Sequence, residues 1–144
     1  MRKGLLIFLI FFVFSFVLSV TLDIGCYKGK EITAIQAFEI YQKYTSVNIV
    51  DARRSNKFKA GHLRSALNLY PFTYDYFKRL DKLDKSLPYL IYCRSGVKSK
   101  RVMSDMLKRG FRCPISIKQG FNSCKEAGFP LPSLGSEKPT GDSY

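Results

Sequence analysis

Apolar and polar positions change period several times along the chain, and each change marks an element. Thr33 is followed by Ala34, Ala37, Phe38, Tyr41 and Tyr44. This is helical spacing behind a hydroxyl residue suited to cap a helix. Val47-Asn48-Ile49-Val50 is a β-rich run ended by Asp51, and Leu67-Asn68-Leu69 is a shorter one. The span 71–83 predicts a helix that starts after its proline, with Tyr74, Phe77 and Leu80 on one side. Tyr89-Leu90-Ile91-Tyr92 is nearly all apolar, as in a strand buried on both faces. Ser99, Val102, Met103, Met106 and Leu107 return to helical spacing until Gly110 closes the helix, and Ile115-Ser116-Ile117 is a further strand. From Pro130 and Pro132 onward the chain is rich in Ser, Gly, Pro and charge, and residues 132–144 are expected to be a disordered tail.

Strands and helices therefore alternate, which predicts an α/β domain with a parallel sheet covered by helices on both faces. In open sheets of this kind the ligand site lies beyond the carboxyl ends of the strands. The residues after Tyr92 become the first place to look for chemistry.

The first residues follow another pattern. Arg2 and Lys3 precede Leu5–Leu22, 18 residues without a charge, and Asp23 ends the run. A soluble core helix carries a polar face, and this stretch has none. Its length lies between a signal-peptide core and a full bilayer crossing. Residues 1–25 are expected to be a signal peptide or a membrane anchor, with 26–30 as a linker. The basic start keeps that end in the cytoplasm, which places the rest outside: in the periplasm, or anchored through residues 5–22 and facing outward. Ser19-Val20-Thr21 offers a passable cleavage site. Cys26 suggests lipidation, but Asp23 stands where a lipobox has an aliphatic residue.

Composition adds a size and a sign. The chain has 144 residues, 46% apolar and 24% charged, which fits one globular domain and excludes a wholly disordered chain. The net charge is +13, and without residues 1–25 it is still +12. Basic residues are not interleaved with aromatics as in nucleic-acid sites, so no nucleic-acid partner is expected. The charge reads as a solvated surface that also steers small anions.

Cys93-Arg94-Ser95-Gly96-Val97-Lys98-Ser99 joins the buried strand to a helix. Main-chain N–H groups can converge there, backed by a helix N-terminus that favours negative charge. Gly96 permits backbone angles that other residues resist. Arg94 and Lys98 add two cations. Together these features lower a thiol pKa and make Cys93 a nucleophile, with residues 94–98 as its substrate-binding loop.

This segment resembles the active-site loop of rhodanese-like domains. A second block, Asp51-Ala52-Arg53 with Phe58, Gly61-His62-Leu63, Ala66 and Asn68, is similar to another signature of the family. A third, Gly120-Phe121-Asn122 with Ala127-Gly128-Phe129-Pro130, is similar to its closing segment. The resemblance spans residues 31–131. It implies a single doubly wound domain with a five-stranded parallel sheet. It also implies sulfurtransferase activity through a persulfide on Cys93, with no metal and no organic cofactor. The implied partners are a small anionic sulfur donor such as thiosulfate and a thiol or cyanide acceptor, a protein thiol included. Lys98 replaces the family's usual Arg, Gln119 and Ser65 replace glycines, and Cys124 replaces a Trp. In related phosphatases and arsenate reductases the loop is one residue longer and ends in Arg, whereas the seventh position here is Ser99. Sulfur transfer is therefore preferred to phosphatase or arsenate-reductase chemistry, and a non-catalytic binding module is the other alternative.

Asp51, Arg53 and Ser99 are expected to support the loop rather than react. His62, the single histidine, is expected to be structural, and one histidine does not build a recognisable zinc site with these cysteines. Cys113 and Cys124 are expected to be free and buried, with a mutual disulfide as the alternative in an oxidising compartment.

Overall fold

The computed structural model describes residues 27–132. The elements are β1 (Glu31–Ile32), α1 (Ala34–Lys43), β2 (Asn48–Asp51), α2 (Ser55–Lys59), β3 (Leu67–Asn68), α3 (Tyr76–Asp81), β4 (Pro88–Tyr92), α4 (Val97–Lys108), β5 (Cys113–Ile117) and α5 (Phe121–Glu126). The five strands form one sheet in the order β1-β5-β4-β2-β3, and every pair is parallel. The fold is thus the expected single α/β domain with a five-stranded parallel sheet.

Two hydrophobic clusters flank the sheet. Leu90, Ile115 and Ile117 pack with Ala34 and Ala37 of α1 and Cys124 of α5 on one face. Val50 and Ile91 pack with Tyr76 and Leu80 of α3 and Val102 and Met106 of α4 on the other. Successive strand side chains point to opposite faces, so a strand apolar throughout serves both clusters.

Local chemistry sets the helix ends. Thr33 and Gln36 form a reciprocal capping box at the start of α1. Gly110 takes φ +84° just past α4, and its N–H and that of Phe111 close onto the Leu107 and Met106 carbonyls.

The helix predicted over 71–83 is shorter, with only Tyr76–Asp81 helical. Residues 71–75 form turns, the Tyr76 N–H reaches the Thr73 carbonyl, and Tyr74 is fully exposed. The buried pair is Tyr76 and Leu80, one helical turn apart, so the apolar face is rotated from the expected one. Periodicity did not mark β1, α2 or α5. Two residues give β1 no period, and α2 buries no side chain completely. Among the described residues no helix is long and apolar enough to cross a membrane. The segments 1–25 and 133–144, with the signal, anchor and tail expectations placed on them, lie outside the described residues, as does Cys26 of the linker.

Candidate active site

β4 ends at Tyr92 and α4 begins at Val97, so the connection between them is only Cys93 to Gly96. Strand alternation sends Tyr89, Ile91 and Cys93 toward α3 and α4, and Leu90 and Tyr92 to the opposite face. Cys93 therefore arrives buried, 1% exposed, beneath the first turn of α4. Gly96 adopts φ +90°, a left-handed conformation that only glycine takes freely, and its N–H donates to the Cys93 sulfur at 3.1 Å. Burial pushes the thiol pKa up. The N–H groups of Ser99, Ser95 and Lys98, with the Ser99 hydroxyl, outweigh burial and hold it below the ordinary thiol value. The aligned N–H groups of the α4 N-terminus act in the same direction.

A second segment locks this loop. The Phe121 N–H donates to the Cys93 carbonyl at 2.9 Å. A Cβ on Gly120 would meet the Arg94 carbonyl oxygen at 1.8 Å, and one on Gly96 would meet the Lys118 carbonyl oxygen at 2.5 Å. The β5–α5 connection and the Cys93 loop thus touch backbone to backbone at two glycines.

Asp51 and Arg53 pair with each other on the far side of the sheet. Arg53 Nε donates to both Asp51 carboxylate oxygens at 3.0 Å, and Arg53 Nη2 donates to Oδ2 and to the Gly61 carbonyl, each at 2.6 Å. The Tyr92 hydroxyl donates to Asp51 Oδ2 at 2.7 Å and accepts the Leu63 N–H at 3.1 Å. The Arg53 guanidinium lies 4.0 Å above the Phe121 ring. Tyr92 looks purely apolar in sequence, yet its hydroxyl completes a buried ionic network. Burial first, and then Asp51, push its phenol well above the usual tyrosine value. Asn68 Nδ2 donates to the Asp51 and Arg53 carbonyls at 3.0 and 2.8 Å, fixing the turn after β2.

Above the loop lies a cavity of about 500 Å³ lined by Arg53, Arg54 and Lys57 from the β2–α2 side and by Arg94 and Lys98 from the loop. Phe121 and Asn122 complete its wall. Asp51 neutralises Arg53, but among the described residues no carboxylate pairs with the other four cations. The cavity is built for an anion.

The structure brings together Cys93, Arg94, Gly96, Lys98 and Ser99, with Ser95 and Val97 exposed on the outside of the loop. Arg53 forms part of the cavity wall, and Asp51 stands behind it. The His62 ring stacks on Phe58 at 3.8 Å, and its Nδ1 lies 3.0 Å from the Phe58 carbonyl oxygen, away from the loop. Gln119 accepts the Ala34 N–H at 2.8 Å and so serves the start of α1. Ser65 takes φ +60°, a conformation that explains the glycine of the resembling motif. The cysteine expectation needs correction. Cys113 is disulfide-bonded while Cys124 is free, so the two are not paired and Cys113 is not a free thiol. Burial, with Asp51 nearby, pushes the Cys124 thiol up to about 12. The sequence reading missed the Tyr92 hydroxyl, the buried Ser116, and the contributions of Arg54 and Lys57. The basic run from Arg53 to Lys59 was the one signal available for the last two.

The family model described as the rhodanese-like domain matches residues 36–127. The chain is 30% identical over 96 residues to the thiosulfate sulfurtransferase GlpE of Coxiella burnetii, covering 67% of this chain and 87% of that protein. It is 28% identical over 101 residues to the GlpE of Actinobacillus pleuropneumoniae, covering 70% and 91%. Among solved structures it is similar to the rhodanese-like domain of an Anabaena protein, with a TM-score of 0.61 at 21% identity, covering 79% and 88% of the two chains. It is also similar to a rhodanese-like domain protein of Staphylococcus aureus, with a TM-score of 0.60 at 23% identity, covering 72% and 99%. These likenesses carry the fold.

Proposed function

The chain belongs to the rhodanese-like domain family, and from that premise we propose that it is a sulfurtransferase that takes a sulfane sulfur from thiosulfate or a similar small anionic donor. The observation that carries this reading is a buried thiol with a lowered pKa, held by main-chain N–H groups under a cationic cavity. The Cys93 thiolate attacks the outer sulfur of thiosulfate. A Cys93 Sγ–S bond forms, the donor S–S bond breaks, and sulfite leaves with the electron pair. The charge now on the terminal sulfur lies where the loop N–H groups and the α4 N-terminus favour an anion. Arg94 and Lys98 hold the sulfonate end of the donor and balance the departing sulfite. An acceptor thiolate or cyanide then attacks the terminal sulfur, and the Sγ–S electron pair returns to Cys93. The acceptor leaves as a persulfide or as thiocyanate.

The loop supports sulfur over phosphate as its ligand. Only three residues separate Cys93 from α4, and the cation at the sixth position is Lys98, a point charge without the two-pronged grip of Arg on a phosphoryl group. The apolar run at 5–22 behind a basic start, with the disulfide at Cys113, favours work outside the cytoplasm. Periplasmic location and membrane attachment through that run are part of the same proposal.

The deciding experiment is intact-protein mass spectrometry after thiosulfate treatment. The native protein should gain one sulfur atom, cyanide should remove it, and Cys93→Ala should gain none. Cys93-dependent hydrolysis of an aryl phosphate without sulfur transfer would refute the reading.

A further inference from the structure

A buried polar residue stands in β5 where the sheet needs none. Ser116 is 0% exposed, between Ile115 and Ile117, and its side chain faces α4 rather than the α1 and α5 cluster that its neighbours join. Its hydroxyl donates to Ser99 Oγ at 3.0 Å. Ser99, also fully buried, donates to the Gly96 carbonyl at 2.9 Å, with the Ile117 carbonyl oxygen at 3.4 Å, and its oxygen lies 3.7 Å from the Cys93 sulfur. Two buried hydroxyls thus run in series from the middle of a strand to the nucleophile.

Counting protons shows what the series does. A hydroxyl has one proton to give and two lone pairs to accept with. While Cys93 is a neutral thiol, its S–H points to Ser99 Oγ, and the Ser99 proton rests on Gly96. When Cys93 loses its proton, its sulfur needs a donor and Ser99 no longer receives one from it. A rotation about the Ser99 Cβ–Oγ bond then moves the Ser99 proton from the Gly96 carbonyl to the sulfur. The Gly96 carbonyl is not stranded, because the Lys100 N–H also donates to it at 3.1 Å. Ser116 fills one Ser99 lone pair in both states and polarises the Ser99 hydroxyl toward the sulfur.

We propose that Ser116 is a positioning residue for the Cys93 nucleophile, acting through Ser99 as a two-hydroxyl relay that delivers one hydrogen bond to the sulfur only when it is charged. The proposal rests on the reading of Cys93 as a thiolate nucleophile. The relay works twice per turnover, because negative charge sits on Sγ before attack and returns to Sγ when the persulfide sulfur leaves. A better-stabilised leaving thiolate speeds that second step. The relay shares the sulfur with other groups: the N–H donors of the loop, Arg94 and Lys98 beside it, Arg53, Arg54 and Lys57 across the cavity, and Asp51, which is neutralised by Arg53.

The test reads the thiolate directly, without turnover. Full-length protein is alkylated with iodoacetamide from pH 5 to 10, and modification is followed on the Cys93 peptide. Ser116→Ala should raise the apparent midpoint by about half a pH unit, a roughly twofold slower reaction near neutrality, with a high-pH plateau no lower than that of the native protein. Ser116→Cys, close in size and a weaker donor, should shift it in the same direction. In a Ser99→Ala background, Ser116→Ala should add nothing, since the second hydroxyl would have no route to the sulfur. An unchanged midpoint in both Ser116 variants overturns the relay, and so does an undiminished Ser116 effect in the Ser99→Ala background. Failure of sulfur transfer itself would leave these midpoints readable, so the two readings fail separately.

Discussion

Gly120→Ala isolates the role of backbone contact at the site. Gly120 has φ 170°, extended backbone that any residue adopts, so the substitution introduces no backbone strain. What it introduces is a methyl carbon 1.8 Å from the Arg94 carbonyl oxygen, 2.3 Å from the carbonyl carbon and 2.9 Å from the Cys93 carbonyl oxygen. Ordinary carbon–oxygen contacts lie at about 3.3 Å or more. The two segments must therefore part by more than an ångström, and neither is a flexible side-chain end. Parting breaks the Phe121 N–H bond to the Cys93 carbonyl, now 2.9 Å. A lost hydrogen bond of about 1 kcal/mol with overpacking of about 1–3 kcal/mol predicts a destabilisation of roughly 2–4 kcal/mol. A displacement of about 1 Å in a catalytic loop predicts persulfide formation slower by about a hundredfold. Gly110→Ala is the control. Gly110 has φ +84° and open space around it, so it should lose only about 1 kcal/mol to strain and keep its activity. Urea unfolding gives the stabilities, and stopped-time mass spectrometry after thiosulfate addition gives the rates. A Gly120→Ala protein with native stability and native persulfide formation would refute the account of two locked backbones.

Three further outcomes follow from the same geometry. Asp51→Asn leaves the largely buried Arg53 charge without its counter-ion and should destabilise the fold by about 3 kcal/mol, read by urea titration. Because the Cys93 thiol lies below its ordinary value, the persulfide-forming rate should rise with pH to a plateau whose midpoint lies below that of a free cysteine measured alongside; a midpoint at or above the free-cysteine value would contradict the hydrogen-bond assignment. Lys98→Ala should slow transfer from thiosulfate by about tenfold, the effect of one charge contact of ~1.4 kcal/mol, while Lys98→Arg should keep or raise it, as read by thiocyanate release in the presence of cyanide.

The fold was legible where burial imposes a period. α1, β4 and α4 bury continuous apolar faces, and the sequence marks them within a residue or two. The helix after Pro71 was misjudged because Tyr74 and Phe77 are apolar but exposed, while the buried Tyr76 lies between them. α2 and α5 escaped because they are too short, five and six residues, for the few side chains they turn to the core, Phe58 in one and Phe121 and Cys124 in the other, to make a period. At the site, Cys93, Gly96 and the two loop cations were readable from one heptapeptide, since loop chemistry is local. The Tyr92–Asp51 hydrogen bond and the Ser116–Ser99 bond join residues 41 and 17 positions apart, and no local pattern encodes them. The state of Cys113 and Cys124 was unreadable for the same reason.

The Cys93 loop has an inside and an outside made of different material. Its inside is main chain with one buried hydroxyl: the N–H groups on the sulfur belong to the backbone that every residue carries, Ser99 adds its Oγ, and within the loop glycine is required only at 96. Its outside is side chain: Arg94, Ser95 and Val97 are exposed, and Lys98 is half-exposed against the cavity. The basicity of the thiol and the choice of donor are thus inherited separately. Drift at positions 94, 95, 97 and 98 can retune which anion is admitted without disturbing the sulfur that meets it. The side chains at the rim can therefore vary while the main-chain cradle of the sulfur stays as it is.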